Sequence, residues 1–187
     1  MKHSKEICGI PVYIFGSVSS TMEEAEKLLA KGKNGIICAE EQFEGRGRYG
    51  RKWFSPPGGL YFSWILEEGR FSLFLSEILS LSIVESLQTY GISCRIKLPN
   101  DIITSGRKIS GILILKKQGV YIAGVGINVN NAAGDGRERV SMKEIAGRPV
   151  EKHEVLESFI RAFLAYKKAF SENPEAYLQK WSNYLIK

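Results

Sequence analysis

Three strand-length apolar runs, at residues 102–104, 108–115 and 120–129, follow one another with little between them but Ser105-Gly106 and Gln118-Gly119. Glycine-containing dipeptides of this kind close β-hairpins, so neighbouring runs are predicted to pair antiparallel. Further strands are predicted at 10–15, 36–39, 60–66 and 93–97, and helices at 22–30, 73–88, 142–146, 153–170 and 175–185. The run 73–88 is apolar on more than one face, which predicts a core helix. Strands and helices do not alternate strictly. The fold class that follows is α+β, a mixed, largely antiparallel sheet packed against helices. At 187 residues the chain suits a single domain over 1–187.

The apolar run 7–15 follows Lys2 and Lys5, the outline of a secretory leader. Glu6 lies in the charged end, Pro11 interrupts the run and no small-residue cleavage site follows, so a first strand is the better reading. Thr21 and Glu24 have the spacing of a capping box for the first helix. The segment 130–136 reads as polar and flexible. No apolar stretch is long enough to span a bilayer, and no membrane partner is expected.

Residues 44–59 differ from the rest, with five glycines, two prolines, three arginines and one lysine. Regular structure is not expected through so much punctuation, and long loops of this kind are usually functional. Gly45-Arg46-Gly47-Arg48-Tyr49-Gly50 contains G-x-G-x-x-G, but no helix follows it, so a dinucleotide-binding reading fails. No GxxxxGK[ST] motif occurs. What remains is a loop whose glycines allow close backbone approach and whose arginines offer forked donors to phosphate. Trp53 adds a face on which a base could stack. The net charge of +6 agrees with an anionic ligand, nucleotide or nucleic acid, without separating them. Taken alone, the loop fits a nucleotide wrap, a solvated basic loop or an RNA contact.

Other residues narrow the chemistry. Lys97 ends a predicted strand ahead of Leu98-Pro99-Asn100-Asp101. Gly124 and Gly126 stand two apart in a strand, hence on one face, where they would leave a slot; Asn128 falls on the same face. Cys8, Cys38 and Cys94 are widely spaced with no CxxC, which suggests free thiols of a reducing cytoplasm. With only His3 and His153, a histidine metal site or a Ser-His triad is excluded.

Gly45–Trp53, Ser55-Pro56-x-Gly58-Gly59-Leu60-Tyr61-x-Ser63, Lys97–Asp101, Lys108-Ile109-Ser110-Gly111-Ile112-Leu113 and Gly124–Asn130 resemble the motifs of the biotin–protein ligase family, in its order and near its spacings. Ser20-Thr21 resembles that family's Ser-Thr pair. The likeness is close over about 10–130 and loose in the helical tail. It implies a fold like that of class II aminoacyl-tRNA synthetases and biotin ligases. It also implies a two-step reaction: biotin and ATP give biotinyl-5′-AMP and pyrophosphate, then a lysine of a carboxylase's biotin carrier domain takes the biotin.

By the same resemblance Lys97 and Arg48 are catalytic. Ser20, Thr21, Gln42, Gly45, Arg46, Tyr61, Lys97, Gly124 and Gly126 bind biotin. Arg46, Arg48, Arg51, Trp53, Lys108 and Asn128 bind the nucleotide, with Trp53 stacked on adenine and Asn128 on its edge. Mg²⁺ accompanies ATP, with Asn100 and Asp101 as candidate supports, although Asp101 could instead orient Lys97. A homodimer is a further implication. The chain departs from the family in carrying Leu98 where tryptophan is common. Over these 187 residues neither an N-terminal helix-turn-helix nor an SH3-like C-terminal domain is expected, so the expectation is a minimal ligase or a catalytic core without a DNA-binding domain, with the transfer step the one in question.

Each residue also has a plainer reading. Ser20 and Thr21 could be helix caps, Asn100-Asp101 a turn, Asn128 a strand end and Lys108 part of a solvated hairpin. Two other functions stand beside the first: lipoate or octanoate transfer on the same general fold, and a non-enzymatic nucleic-acid-binding domain. Arg-Arg with Gly-Gly-Gly, which marks lipoate ligases, is not present.

Overall fold

The computed structural model describes residues 3–133 and 138–186. The expected flexible segment 130–136 therefore falls partly outside the described residues. Eight strands form one sheet: β1 (His3–Ile7), β2 (Ile10–Val18), β3 (Gly35–Gln42), β4 (Leu60–Glu67), β5 (Arg95–Lys97), β6 (Asp101–Thr104), β7 (Arg107–Lys117) and β8 (Val120–Ile127). Their order is β1-β2-β3-β4-β8-β7-β6-β5. Only β2 and β3 pair in parallel, across the helix α1 (Thr21–Leu29); the other pairs are antiparallel. The mixed α+β sheet expected from the hairpin spacing is thus observed.

Ser105-Gly106 and Gln118-Gly119 both turn with positive φ at the two central positions, the geometry that matches strand twist in two-residue hairpins. A third such turn, Cys8-Gly9, divides the 7–15 run into β1 and β2, so the single first strand of the sequence reading is a hairpin. The cap of α1 also shifts. Ser20, in extended conformation, caps the helix by accepting from the Met22 amide, while the Thr21 hydroxyl turns to Gln42 and Ser63. Thr21 and Glu24 therefore do not form the expected box.

One face of the sheet carries the main core. The helix α2 (Leu75–Gln88), led in by a 3-10 turn over Arg70–Phe74, and α4 (Lys152–Glu172) pack there, with α5 (Pro174–Ser182) behind. Phe62 and Trp64 on β4 meet Phe159 and Phe163 of α4 at centroid separations of 4.6–6.4 Å, tilted or edge-on as aromatic quadrupoles prefer. The stretch Arg70–Gln88, 19 residues, does reach membrane-spanning length and apolarity, contrary to expectation. Its Ile78, Leu79, Ile83 and Leu87 are fully buried in this core, which accounts for the apolarity. A short helix, α3 (Met142–Ala146), follows the last strand behind a Ser141–Glu144 capping box.

The other face is covered unevenly, and side-chain size explains how. Ile37, Ile65 and Ile122 project there and seat Met22 and Ala25 of α1. Farther along β8 the same face presents Gly124 and Gly126. Met22, at the start of α1, reaches over Gly124, and a cleft lined by both glycines lies beside it.

Candidate active site

A cleft of about 280 Å³ lies between α1, the 44–59 loop and the glycine-bearing part of the sheet. Successive strand partners across it are Tyr61, Gly126, Gly111, Asp101 and Lys97. Directly paired residues of antiparallel strands share a face, so this row lies on the cleft side. Of the residues expected at a site, Ser20, Thr21, Gln42, Arg46, Arg48, Arg51, Trp53, Asn100, Asp101, Lys108, Gly124 and Gly126 line the cleft. Lys97 is exposed at the end of β5, one strand beyond Asp101 in the same row. Gly45, Tyr61 and Asn128 lie off the lining. Tyr61 is fully buried, donates to the Pro56 carbonyl at 2.8 Å, and has its phenol pKa pushed up by desolvation.

The 44–59 loop is more ordered than its composition suggests. Isolated bridges join Arg46 to Lys52 and Gln42 to Ser55. Gly47 donates to Arg51 and Trp53 to Gly45, each at 2.7 Å, around a tight turn at Arg48–Gly50. A Cβ on Gly45 would stand 2.4 Å from the Trp53 carbonyl, so glycine is required for this closure.

The glycines do make room, but side chains use it. A Cβ on Gly124 would lie 2.7 Å from Met22 Sδ, and one on Gly126 2.4 Å from the Trp53 indole. The indole also covers Gly111, whose Cβ would come within 2.9 Å. The slot expected to be open is thus filled by Met22 and Trp53. Lys108 Nζ sits 5.0 Å from the Trp53 ring centroid and 2.6 Å from Asp101 Oδ1. Trp53 Nε1 is buried and has no partner, a costly condition for an N–H unless a ligand accepts from it.

Hydrogen bonds run one way from sheet to loop. Thr21 Oγ1 donates to Gln42 Oε1 (3.0 Å), so Ser63 must donate to Thr21 (2.8 Å). Gln42 Nε2 donates to Ser55 Oγ (2.8 Å), and Ser55 to the Trp53 carbonyl (3.1 Å). Arg46 pairs with Glu23, and Arg48 reaches Asn100 Oδ1 at 3.5 Å and Tyr49 Oη at 3.0 Å. Gly111, Ser55 and Ser63 stand inside the family-like motifs without an expected role, and Gly111 also carries the signal used for Gly124, a glycine inside a strand; no sequence signal points to Met22 or Arg139. Among the described residues no group of three His, Cys, Asp or Glu gathers to hold a metal.

Comparison with known proteins gives concordant matches. Residues 14–131 match the model of the biotin/lipoate A/B protein ligase family. The bifunctional ligase/repressor BirA of Escherichia coli is 32% identical over 94% of this chain and 60% of its own length. A biotin–[acetyl-CoA-carboxylase] ligase of Paracoccus denitrificans is 31% identical over 79% of this chain and 69% of its own. The chain thus spans about half to two thirds of the curated relatives it matches. Among solved structures, a biotin protein ligase from Aquifex aeolicus in complex with biotin and ATP superposes with TM-score 0.76 and 33% identity, covering 87% of this chain and 72% of that one. A biotin protein ligase from Leishmania major, in complex with biotinyl-5-AMP, shares the fold at TM-score 0.82 and 24% identity, over 94% and 81% of the two chains.

Proposed function

The chain belongs to the biotin/lipoate A/B protein ligase family, and from that premise we propose that it is an ATP-dependent biotin–protein ligase. The observation that carries this reading is the row Gly126, Gly111, Asp101 in the lining of a cleft rimmed by Arg46, Arg48 and Arg51, with Lys97 one strand beyond in the same row. A neutral bicycle bearing a carboxylate tail and a nucleoside triphosphate need such a floor and such a rim.

In the first step a biotin carboxylate oxygen attacks the α-phosphorus of ATP, and pyrophosphate leaves. Two anions must meet, so cationic groups at the meeting point lower the barrier. Lys97 and Arg48 supply them. Arg46, Arg51 and Lys108 hold the phosphates, Trp53 stacks on adenine and Asn128 reads its edge. Thr21 and Gln42 exchange their mutual hydrogen bonds, and Ser20 its bond from the Met22 amide, for bonds to the ureido group. Gly45, Tyr61, Gly124 and Gly126 shape its pocket. In the second step a lysine amine of a biotin carrier domain attacks the acyl carbon, and AMP leaves.

Mg²⁺ enters with ATP, bound mainly by phosphate oxygens and water. Asn100 and Asp101 are its nearest candidate supports. Asp101 already pairs with Lys108, which favours a role in placing the lysines over one as a metal ligand. Three free cysteines suit the reducing cytoplasm as its location. A homodimer belongs to the same reading.

Lipoate or octanoate is the competing acyl group, since the family includes ligases for lipoate. Incubation with ATP, Mg²⁺ and equimolar biotin and lipoate, read by mass spectrometry, separates them. Biotinyl-5′-AMP alone is expected; lipoyl-AMP alone would overturn the assignment. Salt-sensitive oligonucleotide binding with neither adenylate would favour the nucleic-acid reading.

A further inference from the structure

β5 is three residues long and stands at the end of the sheet. Its inner edge is covered by β6, through the pairs Arg95–Ile103, Ile96–Ile102 and Lys97–Asp101. A strand so short at the edge of a sheet has few bonds to hold it and is where local opening begins. Its last residue is Lys97. That side chain is exposed, so its place is set by the backbone that carries it rather than by packing.

The outer edge of β5 is clamped by residues far along the chain. The segment leaving α5 runs parallel to it, with Ile96 bridged to Leu185. The Ile96 amide donates to the Tyr184 carbonyl at 2.7 Å, and its carbonyl accepts from the Ile186 amide at 2.9 Å. Arg95 Nη1 donates to the Asn183 carbonyl at 2.7 Å, at the C-terminal end of α5, where free carbonyls favour a cation. The clamp is itself anchored in the core. Tyr177 of α5 is buried, and Trp181 Nε1 donates to Ser80 Oγ of α2 at 3.0 Å. Gln88 Nε2, at the end of α2, donates to Tyr184 Oη at 3.3 Å.

We propose that Asn183–Ile186 is a positioning segment for the adenylation step, which clamps β5 from outside and so keeps Lys97 in register with the cleft. The inference rests on the assignment of Lys97 to biotin activation and names what holds that lysine in place. A reacting group displaced by about 1 Å can lose on the order of a hundredfold in rate, whereas the biotin pocket lies strands away from β5. Loosening the clamp therefore acts on the rate and spares binding.

The test uses the full chain with Ile186→Pro, which removes the amide that donates to Ile96 and keeps an extended chain. The Ile186 side chain is half exposed, so little burial is lost. At saturating biotin and ATP, kcat for biotin adenylation is expected to fall about tenfold, with the KM for biotin changed less than about twofold. Ile186→Ala, which keeps the amide, is expected to restore the rate. In the intact chain, hydrogen exchange at the Ile96 amide is expected to be slowed as in the central strands. Exchange there at the rate of an open chain would overturn the proposal without any variant, so a misfolded variant cannot shield it. Normal kcat in a folded Ile186→Pro chain, with Lys97→Ala impaired, would overturn the inference alone and leave the segment a cover for a strand edge. Normal adenylation by Lys97→Ala would instead overturn the assignment on which the inference rests.

Discussion

Lys97 and Lys108 stand on either side of Asp101, one as its cross-strand partner and the other as its ion pair at 2.6 Å. That difference gives them different work. Lys108 is held beside the Trp53 ring and Asp101; Lys97 is exposed, one strand beyond Asp101 in the same row. Lys97→Ala is expected to lower biotin adenylation by about a hundredfold or more, the scale of removing one charge-stabilising group, while changing biotin affinity much less. Calorimetry with biotin beside single-turnover adenylation checks the split. Normal adenylation by the variant would remove Lys97 from the chemistry. At this scale the sequence was informative about residue types, because lysine before Pro-Asn-Asp and glycines two apart in a strand have few structural uses. It was silent on which space stays open. Met22 and Trp53 fill the slot over Gly124 and Gly126 through tertiary contacts that no local pattern encodes.

The loop at 44–59 is the element on which ligand access depends. It is pinned by two isolated bridges and by the Ser63–Thr21–Gln42–Ser55 chain of hydrogen bonds ending at the Trp53 carbonyl. A ureido group that takes over Thr21 and Gln42 would loosen that chain, so biotin and the position of Trp53 are coupled. With biotin and ATP the loop is expected to close over the adenylate and keep water from the anhydride. Limited proteolysis should then cut at Arg46, Arg48, Arg51 or Lys52 several times more slowly than in the free chain; equal rates would contradict closure. Elements at this scale were legible where glycine marked a turn, as at Ser105-Gly106 and Gln118-Gly119. The same signal at Cys8-Gly9 was missed because it lies inside an apolar run, where Cys8 adopts a positive φ that a non-glycine seldom takes. The order within the loop arises from backbone bonds that composition does not reveal.

For the molecule as a whole, the two faces of one sheet divide the work. The face packed by α2 and α4 provides stability, and the partly covered face provides the site. Cys38 and Cys94 lie buried, and desolvation pushes each thiol up to about 12 from an ordinary 9.0. A folded-state value raised above the unfolded one gives stability that is present below the unfolded value and lost as pH rises toward the folded one. Between pH 8 and 10 the loss is expected to be about 1 kcal/mol per thiol. Urea midpoints at the two pH values should fall, and fall less for Cys38→Ala/Cys94→Ala; the same decline in both chains would show that the thiols do not carry it.

Activation of biotin is the central claim, and exchange of labelled pyrophosphate into ATP tests it without an acceptor protein. With Mg²⁺ and the purified, folded chain, label is expected in ATP only when biotin is present, and to be lost in Lys97→Ala. No biotin-dependent exchange, or exchange supported by lipoate in its place, would contradict it.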